Sequence, residues 1–151
     1  NEISWLDWSY LEKNRELFEF FKFMIHYRRE HPIIRKKLPN AVCGMEPLHA
    51  HSADASKLTI DRDAKTFATS FAGYDREKGQ DDLVYIVVNT YWEDVKITLP
   101  GLKNREFWYL SVNTYGDGSG RYFYQEGEEP RIDGCFVMRP RSVAVFTGRR
   151  M

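Results

Sequence analysis

Carboxylates are the most abundant chemistry-bearing groups in this sequence: Asp7, Asp54, Asp61, Asp63, Asp81, Asp82, Glu93, Asp94, and the cluster Glu126, Glu128 and Glu129. Glycoside hydrolysis works with two carboxyl groups, one acting as acid and the other as base or nucleophile. Spacing singles out no such pair here. Nearly all of these residues fall in turns or beside strand ends, where acidic side chains are ordinarily solvated. His49, His51 and Asp54 set two imidazoles and a carboxylate along one short extended segment, a donor set adequate for zinc. No further clustered ligand closes it, so the segment reads as a polar loop. His26 and His31, near the end of a helical run, suit the negative helix terminus or local packing. No metal and no other cofactor is expected.

Nucleophilic catalysis finds no support. Ser4, Ser9, Ser52, Ser56, Ser70, Ser111, Ser119 and Ser142 lack a nucleophile-elbow context, and neither Cys43 nor Cys135 has a local catalytic signature. Gly116 to Gly120 lacks the lysine and following helix of a phosphate-binding loop and reads as a turn. Aromatic side chains are the other candidates. Tyr91-Trp92, Trp108-Tyr109, Tyr115, Tyr122 and Tyr124 would offer flat apolar faces to sugar rings if exposed. Trp108 and Tyr109 are neighbours in a strand-like run, so one of the two must face the core. Tyr91-Trp92 fall at a hairpin, where edge packing is common.

The elements that would position these groups divide into two parts. From Asn14 to Glu30 the apolar residues Leu17, Phe20, Phe21, Met24, Ile25 and Tyr27 recur with helical spacing, leaving Arg15, Glu19, Lys22 and Arg29 more exposed. Asn14 is the expected N-cap, and His31-Pro32 ends the run. So wide and aromatic a face requires a substantial packing partner, which need not lie in this chain. After Pro39 come runs rich in β-branched and aromatic residues: Thr66 to Ala72, Leu83 to Asn89, Asp94 to Leu99, Phe107 to Asn113, Cys135 to Met138 and Ser142 to Thr147. Turn-forming residues separate them and no helical period intervenes, so an antiparallel sandwich or barrel is expected.

Composition narrows the class. The chain has 151 residues, 42% of them hydrophobic and 15% aromatic, which is too apolar for a disordered segment. Its 22 basic residues balance 22 acidic ones, so no net field favours nucleic acid or an anionic membrane as partner. No run approaches the length of a membrane span. Two distant cysteines fit a reduced, cytoplasmic setting better than a disulfide framework. Position 1 is Asn, and the native start is expected to lie upstream.

Asn1-Glu2-Ile3-Ser4-Trp5-Leu6-Asp7-Trp8 resembles the DNEISWLDW segment of glycogen debranching enzymes and isoamylases, glycoside hydrolases of the α-amylase superfamily. In that family the segment follows the eighth strand of a (β/α)₈ barrel and leads into its last helix. Tyr27-Arg28-Arg29-Glu30-His31-Pro32 is similar to the Arg-rich end of that helix, and a C-terminal antiparallel β-sandwich follows. The resemblance implies that residues 1–39 end a catalytic barrel and residues 40–151 form the sandwich. It implies a parent enzyme that hydrolyses α-1,6 branch linkages of glycogen or starch with retention. The family's nucleophile, acid/base and third carboxylate belong to earlier strands and match no position here. This chain alone is therefore expected to be non-catalytic, with its own upstream barrel and α-glucan as partners. Asn1 and Glu2 match a loop on the active-site face and are the expected substrate contacts. Trp5 and Trp8, sharing a helical face, are expected to anchor the helix start. Met45 to Asp63 departs from the commoner family pattern, leaving the subfamily open. Two alternatives stand beside this reading: a glucan-binding sandwich using exposed aromatics such as Trp92 or Tyr115, and an independent immunoglobulin-like scaffold.

Overall fold

Leu83 to Val88 is an unbroken apolar run, and such a run suits a strand covered on both faces. The structure, a computed structural model, describes residues 4–5, 7–57 and 63–150. In it this run lies in β3 (Gln80–Asn89), inside a six-stranded antiparallel sheet ordered β1-β2-β3-β8-β5-β6. The other strands are β1 (Leu48–His51), β2 (Thr66–Asp75), β5 (Glu106–Asn113), β6 (Arg131–Ile132) and β8 (Ser142–Arg150). Two further strands, β4 (Val95–Thr98) and β7 (Cys135–Met138), pair separately as a small antiparallel sheet. The molecule is mainly β and sandwich-like, as expected from the sequence.

Alternation along β3 sends side chains into two cores. Leu83, Tyr85 and Val87 join Ile97, Trp108, Leu110, Met138 and Phe146 between the large sheet and the β4–β7 pair. Val84 joins Phe23, Tyr27, Ile33, Val112 and Val145 beneath the helix on the opposite face. The order of layers is helix, six-stranded sheet, two-stranded sheet.

The helical segment differs from its expected form at its start. A short helix α1 (Ser9–Lys13) precedes α2 (Arg15–Glu30), and a 3₁₀ turn over Pro32–Ile34 follows. Asn14 stands at the N-cap position without capping α2 through its side chain. Its Nδ2 instead donates back to the Tyr10 carbonyl at 3.1 Å, as does its backbone N–H at 2.9 Å. With α1 directly upstream, Asn14 closes that helix rather than opening the next.

All six expected strands are present, and β2, β3 and β8 run longer than their apolar cores. The short polar β1 and the two-residue β6 were not expected; each is an edge strand held by one neighbour. A bulge interrupts β5. Leu110 pairs with Phe146 but Val112 pairs with Val145, leaving Ser111 as the extra residue. Its hydroxyl turns toward the helix side and lies 2.7 Å from Thr147 Oγ1. Among the described residues no helix is long and apolar enough to cross a membrane.

Candidate functional site: the outer face of the helix

At 100° per residue, Phe20, Phe23, Met24 and Tyr27 share one side of α2, which covers the sheet. Phe21, Ile25 and Phe18 fall roughly 100° or more around the helix from Phe20, with Leu17 about 60° away at their edge, and the four form a second apolar stripe. These four are exposed, Phe21 by 58% and Ile25 by 56%. The single wide face inferred from sequence is therefore two faces, one satisfied within the chain and one open. Trp5 and Trp8, each 73% exposed, do not bury themselves against the chain. The expectation that they anchor the helix start is not met here. Tyr10 is also exposed. The remaining side of α2 is polar, with Glu19 between Arg15 and Lys22 at 3.8 and 3.5 Å.

A set of polar contacts fixes the helix to the sheet and so fixes the direction of the open stripe. The Tyr27 hydroxyl lies 2.8 Å from Thr147 Oγ1, and burial pushes that phenol far above its ordinary pKa. His31 Nδ1 lies 2.6 Å from Asp82 Oδ1, while Asp82 Oδ2 accepts the Ile33 N–H at 3.0 Å. Lys78 Nζ donates to both the carbonyl and the carboxylate of Glu30, at 2.9 and 2.8 Å. These groups and the Glu129–Arg149 pair border a cavity of about 110 Å³ between α2 and the sheet. Much of its polar lining is engaged in these internal pairs.

The residues singled out from sequence are mostly dispersed. His49 and His51 do stand side by side on β1, with ring centroids 4.6 Å apart. Each is engaged elsewhere, His49 with Glu46 and His51 with Ser70 Oγ. Asp54 binds Ser56 and Thr98, so the three do not converge. Trp108 is the buried member of its dipeptide, its Nε1 donating to the Pro100 carbonyl at 2.7 Å. Trp92 and Tyr115 are exposed. Asp117 organises the glycine-rich turn by accepting the Ser119 and Arg121 N–H groups at 2.9 and 3.3 Å. Hydrogen bonding from the Ser119 side chain, then its backbone, draws the Asp117 carboxyl down to about 2. Asn1 and Glu2, the expected substrate contacts, lie outside the described residues.

Sequence reasoning passed over Glu106. Its alternation with Trp108 and Leu110, which face the core, marks it as an inward carboxylate. Cys43, Asp81 and Glu106 bring one donor atom each within 4.8 Å of one another.

Neither a protein-family model nor a curated protein sequence matches this chain. Among solved structures, 21 chains match. One is a pullulanase type I from Bacillus subtilis, solved in complex with maltose, with a TM-score of 0.61 and 18% sequence identity. The similarity covers 97% of this chain and 17% of that one, so the chain spans about a sixth of the pullulanase's length. What the two share at this identity is a fold.

Proposed function

We propose that this chain is the carboxy-terminal part of an α-amylase-superfamily glycoside hydrolase that cleaves α-1,6 branch linkages in glycogen- or starch-type glucans. In this reading residues 1–39 belong to the catalytic barrel, residues 40–151 cap it, and the chain has no catalytic residues of its own. Asn1 and Glu2 border the glucan site of the parent enzyme. The observation that carries the proposal is the open stripe Leu17, Phe18, Phe21 and Ile25, with Trp5 and Trp8 exposed upstream of it in the sequence. A (β/α)₈ barrel supplies what such a helix lacks, since each outer helix packs against parallel strands. The pullulanase likeness over one segment of a much longer chain supports the same arrangement.

The test is to express the chain together with the coding sequence upstream of Asn1. Replacing Phe21 and Ile25 by lysine should leave the 151-residue chain folded while destabilising the longer protein and abolishing its hydrolysis of branched glucan. Full activity and unchanged stability in the longer variant would sink the docking claim. Hydrolysis of branched glucan by the unmodified 151-residue chain would overturn the claim that it is non-catalytic.

A second reading, glucan binding by the sandwich, is favoured by one grouping. Trp92, its ring tilted against that of Tyr91 at 4.2 Å between centroids, and Tyr115 are both exposed. Arg139 connects the two regions, pairing with Asp94 at 2.6 Å and lying over the Tyr115 ring at 5.0 Å. Calorimetric titration with maltooligosaccharides decides it: absence of heat and of any tryptophan fluorescence change excludes a glucan platform.

A further inference from the structure

At the end of the sheet remote from Trp92, three acidic or thiol side chains converge. Asp81 precedes Leu83 by two residues, and Leu83 faces Gly148 across β8. Gly148 precedes Arg150 by two, and Arg150 faces Glu106. Asp81 and Glu106 therefore flank β8 at the same level and on the same face of the sheet. Cys43 arrives from the loop before β1, and Asp81 itself holds that loop: its two carboxylate oxygens accept the Val42 and Cys43 N–H groups, each at 2.7 Å. The thiol is thus placed by the carboxylate beside it. Each Asp81 oxygen has a second lone pair, and the Cys43 thiol is itself a hydrogen-bond partner of this carboxylate.

Glu106 supplies an independent observation. Its side chain is only 4% exposed, and its Oε2 is buried without a hydrogen-bond partner. Its other oxygen meets Arg150 Nε only at 4.0 Å, and the Arg150 side chain is largely exposed. Buried carboxylate oxygens ordinarily find a partner, and an exception calls for a missing ion, water or proton.

We propose that Cys43, Asp81 and Glu106 form a binding site for a divalent cation of the zinc class. The donor set is one thiolate and two carboxylates, which suits zinc or cobalt rather than magnesium or calcium, whose sites are built from oxygen. Three donors on a tetrahedral zinc stand about 3.3–3.6 Å apart for bonds of 2.0–2.3 Å. The observed spread of up to 4.8 Å requires an inward movement of about an ångström, within reach of side-chain rotation. Binding releases the thiol proton, and the ion's two positive charges offset most of the negative charge on the thiolate and two carboxylates. The fourth corner is left to water, because Asp81 is partly exposed. The site would clamp the loop bearing Cys43 to β3 and β5.

The test uses the untagged 151-residue chain, reduced and metal-free, titrated with cobalt(II). The expected result is a one-to-one complex with tetrahedral cobalt bands and a thiolate-to-cobalt charge-transfer band, all displaced by zinc. Cys43→Ser should remove the charge-transfer band, and Glu106→Gln should weaken binding roughly tenfold or more. Cys135→Ser, which alters the exposed second thiol, should change nothing. The charge-transfer band separates this site from adventitious binding at His49 and His51. Circular dichroism of each variant establishes folding. Should Cys43→Ser fail to fold, the Cys135→Ser chain gives the same answer, because zinc should slow reaction of Cys43 with a thiol reagent. A titration without a charge-transfer band, a band that persists in Cys43→Ser, unchanged affinity in Glu106→Gln, or an unprotected Cys43 thiol would overturn the proposal. A proton shared by Asp81 and Glu106 would then be what satisfies the buried oxygen.

Discussion

The hydroxyl of Tyr27 lies 2.8 Å from Thr147 Oγ1, joining the last turn of α2 to β8 across 120 residues of sequence. The Ser111 hydroxyl completes the row at 2.7 Å from the same Thr147 oxygen, and it is available there because the β5 bulge turns it to the helix side. A helix, a central strand and a bulge thus meet at three hydroxyls.

Tyr27→Phe should lower unfolding free energy by about 0.5–1.5 kcal/mol, since Thr147 keeps Ser111 as a partner and little polar surface is orphaned. Tyr27→Ala should cost about 3–5 kcal/mol, because it also empties ring volume next to Phe23. Urea denaturation of the two variants measures the difference. Equal costs would mean that the ring contributes nothing beyond its hydroxyl.

Gly73→Ala should destabilise by about 1–3 kcal/mol through overpacking. A methyl group there would meet Ile33 Cδ1 and Leu38 Cβ at 2.7 Å each, wedging the segment after α2 away from β2. Gly101→Ala, with nothing within 4 Å, serves as the control and should melt like the parent. Thermal unfolding of both reads the outcome.

The two stripes of α2 should respond oppositely to the same substitution. Phe21→Lys, on the open stripe, should change the stability of this chain by no more than about 0.5 kcal/mol. Phe23→Lys, two residues on but buried against Phe123 at 4.5 Å, places a charge without a partner in the core and should cost about 3–5 kcal/mol. Chemical denaturation of the pair shows whether the sheet-facing assignment of α2 is correct.

Acid should loosen the turn around Asp117. Its folded-state pKa is depressed to about 2 from an ordinary 3.8, so the ionised form is the one the fold favours. The stabilising contribution is fully present above about pH 4 and disappears as pH falls through about 2. Titration of the Asp117 carboxyl by nuclear magnetic resonance should give a midpoint near 2. A midpoint in the ordinary range would show that the bonds from Ser119 do not hold in solution.

What could be read from sequence followed the strength of local pattern. Leu83 to Val88 and Val143 to Phe146 declare buried strands because β-branched and aromatic residues leave few competing conformations. The α2 segment declared a helix and an oversized apolar face, and the structure resolves that face into Phe20, Phe23, Met24 and Tyr27 against Leu17, Phe18, Phe21 and Ile25. Edge strands β1 and β6 were invisible because neither is long or apolar enough to signal itself; pairing alone makes them strands. Asn14 misled because the cap residue also fits the end of a preceding turn. Glu106 was hidden by its charge, although its two-residue spacing from Trp108 places it inward. Proximity in sequence suggested His49, His51 and Asp54, whereas the convergence of Cys43, Asp81 and Glu106 depends on strand register that no local window contains.

The position of β8 between β3 and β5 sets an order of assembly. Strands β2 and β3 can pair as a hairpin as soon as they are made, but β5 has no neighbour on its inner side until Ser142–Arg150 has been synthesised. Helix α2 waits as well, because Val145 and Thr147 belong to that same last strand. A chain lacking Ser142–Arg150 therefore leaves the sheet-facing stripe of α2 without Val145 and Thr147 and splits the sheet into two parts. Chains truncated before Ser142 should be cut rapidly by added protease, and resistance should appear only in chains that include Ser142–Arg150.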